Sequence, residues 1–312
     1  FVNLTGYKKL NGSQVLKENI TYILNLLKST IDEFEKKKTI IHIFNSKYYL
    51  DKKKIENLPI GLFGDFYSHE LSFCLIDNND HNNLHNIFNK CNLKIKKIIL
   101  KSFVEGVYLS NKNYDLNTFF KININEKNSQ IIYFENDSLK FVQNFKFGTD
   151  LILNDISKIT SLDKDIIKKI LINLKTNEET PSQEFIENKF FDSKNFRKIK
   201  KKLLYDIASA RIEELADVLI SKNINLASFN KQNMTYFLKV NDQVNLECFK
   251  DSYKLFFSKK NHFIIKFIDS INIKDVMDNA NTLVDFGWEK EAIPIIRPKK
   301  SLIAKFFDTL FN

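Results

Sequence analysis

The sequence predicts an α/β protein, and three stretches of the chain carry that prediction. Residues 13–100 alternate between helical periodicity and short apolar runs typical of strands. Residues 116–145 contain three apolar runs separated by polar turns, which indicates a β-meander. From Gly148 onward, amphipathic helical stretches alternate with short β-branched or aromatic runs. The 312 residues, 43% of them hydrophobic, suffice for one large domain or two ordinary ones.

The first of these stretches is expected to form a compact unit. Its first helix is predicted from apolar residues that recur every three or four positions. A second helix begins near Asp80, and Asn92 follows it where a left-handed residue is common. The expected elements are a strand at Phe1–Leu4, a helix from Ser13 to about Glu35, and strands at Thr39–Phe44, Tyr48–Leu50, His69–Ile76 and Ile95–Leu100.

The remainder of the chain is expected to form the meander, further helices and two more strands. The meander strands are Leu116–Ile124, Ser129–Phe134 and Leu139–Phe145. The expected helices are Thr149–Ile159, Asp163–Leu174, Ser193–Ser221, Leu246–Phe257 and Asn272–Phe286, and the expected strands are Thr235–Val240 and Phe263–Phe267.

The net charge of +10, from 48 basic and 38 acidic residues, raises the question of an anionic partner. The lysines occur in short scattered runs without a base-reading motif, so nucleic-acid binding is not indicated. Attraction to anionic lipid is the better interpretation. Three cysteines without a C-x-x-C spacing fit free thiols in a reducing cytoplasm.

Sites for metals and common catalytic motifs are weakly indicated. His81 and His85 stand four residues apart beside Asp77 and Asp80, which is a possible pair of metal ligands. No third ligand is evident, so a solvated helix face is the preferred interpretation. The sequence contains no P-loop, dinucleotide fingerprint, G-x-S-x-G or H-E-x-x-H motif, and no apolar run approaches 18 residues.

The last twelve residues, 301–312, are called the tail here, and they predict a short amphipathic helix. Pro294 and Pro298 interrupt the preceding linker, and Ser301 is a suitable N-cap. Bulky apolar side chains on one face behind two lysines are typical of a helix that lies on a membrane surface. The residues expected to bind the membrane are Lys299, Lys300, Leu302, Ile303, Phe306, Phe307, Leu310 and Phe311.

Two interpretations of the tail compete. Most amphipathic helices bury their apolar face in their own domain. The proline-containing linker, the position at the end of the sequence and the three phenylalanines on a twelve-residue face favour the membrane. Twelve residues are too few to span a bilayer, which needs about 20.

Three features stand in order along the chain: the loop LPIGLFG at Leu58–Gly64, the helical string ARIEEL at Ala210–Leu215, and the lysine-flanked tail. Together they resemble the FtsA family of bacterial actin-like cell-division proteins. Leu58–Gly64 is similar to the family's N-P-x-G-x-x-G loop, with Leu58 in place of Asn. The helix around Ala210–Leu215, ARIEEL, resembles the family's A-R-x-E-E helix, and the lysine-flanked tail resembles its membrane-targeting tail. The resemblance covers essentially the whole chain and implies that an N-terminal part of the first domain is missing.

The resemblance implies an actin-like, ribonuclease H-like ATPase fold with a small inserted α/β subdomain of the SHS2 type. The expected domains are a remnant of the first actin-like domain at 1–12, the inserted subdomain at 13–100 and the remaining actin-like domains at 101–292. A linker at 293–300 and the membrane-targeting helix at 301–312 follow.

The nucleotide loops of such a fold are degenerate in this sequence. Glycines in phosphate hairpins let backbone N–H groups approach the phosphates, and the matching positions here carry none. The phosphate hairpin corresponds to Asn123, Asn125, Glu126 and Asn128, and the adenosine loop to Lys239, Asn241 and Asp242. We therefore expect no hydrolysis and no required cofactor, although the resemblance leaves ATP binding open through the missing segment.

The function implied by the resemblance is that of an adaptor. It would tether filaments of the tubulin-like protein FtsZ to the inner face of the cytoplasmic membrane at the division site, recruit other divisome proteins, and use anionic lipids and self-association into actin-like filaments. The alternatives are an actin-like pilus-assembly protein and a divergent actin-fold ATPase. The tail favours the first over the pilus protein, and the missing glycines argue against the ATPase.

Overall fold

The computed structural model describes residues 1–113, 116–173, 184–191, 198–227, 229, 234–259 and 263–292. The chain divides into two compact units. Unit 1 contains Phe1–Tyr108, the turn Glu135–Lys140 and the described residues from Lys274 to Ala292, and unit 2 contains Leu109–Phe134 and Phe141–Ile273. The tail and its linker lie outside the described residues.

Unit 1 is built on a four-stranded antiparallel sheet in the order β1-β4-β2-β3. The first strand pairs with β4 along its whole length, from Val2 opposite Phe73 to Lys9 opposite Phe66. The strands are β1 (Val2–Lys9), β2 (Lys38–Leu50), β3 (Lys53–Ile55) and β4 (Phe66–Asp77). The helices of this unit are α1 (Lys17–Phe34), α2 (Asn78–Lys90), α3 (Lys101–Lys112), which ends just inside unit 2, and α8 (Ile273–Phe286), which begins at the last residue of unit 2.

Helix α1 covers one face of this sheet with the apolar stripe that the sequence predicted. Its buried residues are Ile23, Leu24, Leu27 and Ile31. The close approach depends on Gly6 in β1, because a Cβ there would lie 2.6 Å from Cγ2 of Ile23. The core of unit 1 lies between this helix and the inner face of β4.

The same core contains His69, whose side chain is buried between aromatic rings. The ring centroid of Tyr48 lies 4.8 Å from that of His69, and the ring centroid of Tyr67 lies 6.0 Å away. Burial disfavours the imidazolium and lowers the pKa of His69 to about 4. The ring is therefore neutral at pH 7 and contributes to the core as an aromatic side chain.

Unit 2 is built on a five-stranded mixed sheet in the order β7-β6-β5-β8-β9. Strand β5 is antiparallel to β6 and parallel to β8, and β8 is parallel to β9. Parallel neighbours need long crossovers, and helices supply them here. The strands are β5 (Phe119–Ile124), β6 (Ser129–Glu135), β7 (Ser138–Phe145), β8 (Thr235–Val240) and β9 (Ile264–Phe267), and the helices are α4 (Asp150–Thr160), α5 (Lys164–Asn173), α6 (Lys201–Ala216) and α7 (Gln243–Ser258).

The core of unit 2 lies between this sheet and the apolar faces of its helices. Phe120, Ile122 and Ile124 of β5 point into it, and each is fully buried. Residues such as Ile156 of α4 and Ile212 of α6 complete the same cluster. Two sheets, each packed with helices, confirm the predicted α/β class.

Two local predictions were wrong, and one helix was not predicted. Ile95–Leu100, expected as a strand, carries no regular structure, because its β-branched residues pair with no strand in the described ranges. Helix α3 directly follows it and was not predicted. The long helix expected from Ser193 begins only at Lys201, because Lys200 forms a β-bridge with Phe185, and it ends in the π-helical turn Asp217–Ser221.

The compact units differ from the predicted domain boundaries at the N-terminus. Residues 1–12, expected as a remnant of a separate domain, supply β1 to the sheet that also contains β2 and β4. This pairing joins residues that are 57 (Lys9 and Phe66) to 71 (Val2 and Phe73) positions apart, so local pattern does not reveal it. The assignment of 13–100 to an SHS2-type subdomain stays a prediction.

Candidate functional site

The two predicted nucleotide loops meet at one edge of the sheet of unit 2. Strands β5 and β8 run parallel, with Asn123 opposite Lys239 and Ile124 opposite Val240. The hairpin turn after β5 and the loop after β8 therefore leave the sheet side by side. Asn125 and Asn241, one from each loop, join through a hydrogen bond between their side chains.

We call the region where the two loops and the start of α4 meet the corner. Backbone groups that a phosphate would use already form hydrogen bonds within it. The N–H of Thr149 donates to the carbonyl of Asn125 at 3.0 Å, and the N–H of Asp150 donates to the carbonyl of Glu126 at 2.9 Å. These amides lie at the N-terminus of α4, where an anion would otherwise bind. The N–H of Asn241 donates to the carbonyl of Ile124 at 2.8 Å. Hydrogen bonds within the chain therefore occupy the backbone donors that a phosphate would need, and in this sense the corner is closed.

Gly148 makes this closure possible. A Cβ at Gly148 would lie 1.9 Å from the carbonyl oxygen of Asn125 and 2.8 Å from that of Glu126. The glycine thus lets the start of α4 contact the hairpin turn, and that turn occupies the space beside the helix. A close backbone approach of this kind is served only by a residue without a side chain.

The polar side chains of the corner form hydrogen bonds with one another. Asp242 is the N-cap of α7: its carboxylate accepts from the N–H of Asn245 at 3.2 Å and from the hydroxyl of Thr149 at 3.0 Å. The Asn125 side chain donates to that of Asn128 at 2.5 Å across the turn. Asn123 donates to the side chain of Gln130 at 3.5 Å. These contacts stabilise the loops, because the predicted site residues that make them are hydrogen-bonded to other side chains of the protein.

The charges of the corner are unfavourable for a triphosphate. Glu126 is exposed on the turn, and Asp150 lies in the first turn of α4, 3.3 Å from the ammonium of Lys164. Asp242 adds a third carboxylate. Against these, Lys239 and Lys127 supply positive charge without the backbone cradle that orients phosphates.

We expect the full chain to show no micromolar affinity for Mg·ATP. Calorimetric titration is the measurement, with an actin-like ATPase that retains its glycine hairpins as the positive control. The physical reason is that the amides of Thr149 and Asp150 would have to give up their present acceptors before they could bind phosphate. Saturable binding in the micromolar range would contradict this.

A groove between α4 and α6 was not predicted from the sequence. Its volume is about 550 Å³, and Ile159, Ile207 and Ala210 form its apolar part. Arg211, which belongs to the ARIEEL string, pairs with Asp155 and with Glu214, the latter at 2.7 Å. The string therefore contributes an ion pair that holds α6 against α4.

The other predicted sites are the possible metal pair His81 and His85 and the membrane-binding residues of the tail and its flank. His81 and His85 lie on α2 with ring centroids 4.5 Å apart. In the parts of the chain that the structure describes, no group of three or more metal-binding side chains comes together. None of the helices in the same described ranges has the length and apolar character that crossing a bilayer requires. The eight predicted membrane-binding residues lie outside the described ranges.

The chain is similar in sequence to the cell division protein FtsA of Buchnera aphidicola subsp. Acyrthosiphon pisum. The two are 21% identical over 327 aligned positions, which cover 99% of this chain and 76% of that protein. No protein-family model matches the chain.

Solved structures similar to the chain include a PilM–PilN type IV pilus biogenesis complex. Its TM-score is 0.44 at 9% identity, over 90% of this chain and 74% of that one. MreB5 of Spiroplasma citri bound to AMPPNP has a TM-score of 0.43 at 14% identity, over 67% and 65% of the two chains.

Proposed function

We propose that this protein is a non-enzymatic adaptor that tethers filaments of the tubulin-like protein FtsZ to the inner face of the cytoplasmic membrane during cell division. The observation that carries the proposal is the sequence similarity to a cell division protein FtsA across 99% of the chain. The amphipathic tail supplies the membrane contact, and the two units supply the surfaces for the filament and for other divisome proteins.

The physical logic of such a tether is multivalency. One short helix that buries a few large apolar side chains binds lipid reversibly, since each contributes about 1.5–3 kcal/mol before the cost of ordering is subtracted. Many copies bound along one filament present many tails to one membrane. Effective concentration then turns a weak individual contact into firm attachment, and self-association of the actin-like body would add to it.

Substituting Phe306→Glu and Phe307→Glu together is expected to lower binding to anionic vesicles at least tenfold. Each change places a charge where an apolar ring would enter the headgroup layer, and a loss of about 1.4 kcal/mol already corresponds to a factor of ten. Vesicle flotation of the full chain is the measurement. Ala304→Glu with Thr309→Glu adds the same charge to the polar half of the predicted helix and is the matched control. Equal flotation of the Phe306/Phe307 variant and the unaltered chain would end the proposal.

A second experiment separates this function from pilus assembly. Pull-downs of the full chain with FtsZ and with a cytoplasmic segment of a pilus-assembly partner test the two alternatives directly. Retention of FtsZ supports the division adaptor, and retention of the pilus segment alone contradicts it.

A further inference from the structure

Helix α2 of unit 1 presents apolar side chains to solvent. None of its residues is buried, and Ile87 is 60% and Phe88 41% exposed. Leu93, just beyond the helix, is 56% exposed. A helix docked on its own domain buries such side chains. A cluster of exposed large apolar residues on one helix and its end indicates a surface that a membrane or another molecule covers.

Lysines border this apolar cluster. Lys90 lies in the last turn of α2, and Lys94 and Lys96 are exposed on the segment that follows. The Lys96 side chain is 77% exposed and lies 3.5 Å from the carboxylate of Asp285, itself 60% exposed, so this pair is solvated and weak. Large apolar side chains beside lysines match the chemistry of an anionic lipid surface.

The point where the chain leaves unit 1 toward the tail adjoins the same region. The N–H of Ala292 donates to the carbonyl of Ile43 in β2 at 2.7 Å. The preceding Glu291 pairs with His42 at 2.8 Å and with Lys97 at 2.9 Å. Lys97 belongs to the segment that carries Lys94 and Lys96, so that segment and Glu291 are held together.

Helix α2 is attached to the same strand. The N–H of Asn78, the first residue of α2, donates to the carbonyl of Lys37 at 2.8 Å, and its side chain accepts from the Thr39 hydroxyl at 2.7 Å. Thr39 and Ile43 are four residues apart in β2, about 13 Å at the usual rise of about 3.3 Å per residue. The last described residues, Glu291 and Ala292, and the start of α2 are therefore attached to the same strand a short distance apart.

We propose that Ile87, Phe88, Leu93, Lys90, Lys94 and Lys96 form a second membrane contact, which we call the α2 surface, resting on anionic lipid headgroups beside the tail. The inference rests on the proposed tethering function and deepens it. The tail brings unit 1 to the membrane, after which the α2 surface binds at high effective concentration. Two contacts on one unit fix the orientation of unit 1 on the lipid, which a single contact does not.

The test is a set of full-length variants bound to vesicles of phosphatidylglycerol and phosphatidylcholine. Ile87→Glu with Phe88→Glu is expected to weaken binding about tenfold. Asn82→Glu with Asn86→Glu, on the opposite side of the same helix, adds equal charge and is expected to stay within about twofold of the unaltered chain. Lys94→Gln with Lys96→Gln should weaken binding more than tenfold, since each of the two lysines contributes about 1 kcal/mol near an anionic surface and about 1.4 kcal/mol is a factor of ten. On pure phosphatidylcholine this lysine effect should vanish.

Combining these changes with Phe306→Glu/Phe307→Glu separates the two claims. If the tail variant binds as the unaltered chain does while the Ile87/Phe88 variant is impaired, the tail mechanism fails and the α2 surface stands. If the Ile87/Phe88 variant keeps full vesicle affinity, the α2 surface is not a membrane contact, and this is also the outcome expected if it docks a protein.

A position-specific measurement uses Cys91, which is exposed at the end of α2, whereas Cys74 is buried. In a Cys248→Ser background, an environment-sensitive fluorophore on Cys91 should shift to shorter emission wavelengths when vesicles are added. A lipid-borne quencher should reduce its intensity. Unchanged emission, with the protein bound to the vesicles, would overturn the proposal.

Discussion

Replacing Gly148 with alanine is expected to lower the free energy of unfolding by about 3 kcal/mol, from overpacking and from about 1 kcal/mol for each of two weakened hydrogen bonds. The new Cβ would lie 1.9 Å from the carbonyl oxygen of Asn125. The obstruction is backbone, so no side-chain rotation relieves it. The hairpin turn and α4 must separate, which lengthens the bonds from Thr149 and Asp150 to the turn.

Urea unfolding measures the loss, and hydrogen exchange at the amides of Thr149 and Asp150 locates it. Gly61→Ala is the control, because Gly61 has a φ of +87° and nothing lies within 4 Å of its added Cβ. That variant suffers only the torsional cost of a left-handed alanine, about 1–2 kcal/mol. Equal midpoints for the two variants, with unchanged exchange at Thr149 and Asp150, would show that the corner opens without cost.

The closed corner shows what the sequence revealed of the candidate site and what it did not. The absence of glycines from the matched hairpin predicts a degenerate phosphate loop, and this stays a prediction. The structure brings one residue of each predicted loop, Asn125 and Asn241, into contact. The occupation of the Thr149 and Asp150 amides by the turn was not predictable. It depends on backbone groups 24 residues apart in sequence, whose identity leaves no pattern in the side chains.

The same distinction holds for the fold. Local signals predicted the α1 stripe and the left-handed Asn92, whose φ is 59°. Pairing between distant strands set the rest. Strand β1 extends to Lys9 because β4 offers it a partner along its length, whereas Ile95–Leu100 has strand-like residues but pairs with no strand in the part of the chain that the structure describes. A segment with strand-like residues forms a strand only where the edge of another strand is available to pair with it.

A buried ionic cluster in unit 1 likewise depends on residues that are far apart in the sequence. The Lys140 side chain, 1% exposed, lies 2.6 Å from a carboxylate oxygen of Glu70 and 3.8 Å from Glu135. Lys47 lies within 4 Å of both carboxylates, and the Ser46 hydroxyl donates to Glu70 at 2.5 Å. Two positive and two negative charges thus balance within unit 1.

The pKa directions show how this balance works. Burial lowers the pKa of Lys140, and its contact with Glu70 opposes that shift without cancelling it. For Glu70 burial acts to raise the pKa, but the Lys140 ammonium and the Ser46 hydroxyl outweigh it, so the pKa lies below its ordinary value. Glu70, 20% exposed, loses less hydration than Lys140 and gains more from the pair.

Substituting Lys140→Met is therefore expected to lower the free energy of unfolding by about 3 kcal/mol, because breaking a buried pair from one side leaves an uncompensated charge. Urea unfolding at pH 7 is the measurement. Lys38→Met is the matched control: its partner Glu35 lies at 3.0 Å, but both side chains are about one-third exposed or more, so a loss below about 1 kcal/mol is expected. Adding Glu70→Gln to Lys140→Met should recover part of the loss, since it removes the charge left behind. A Lys140→Met midpoint no lower than that of Lys38→Met would show that the cluster is hydrated and contributes little.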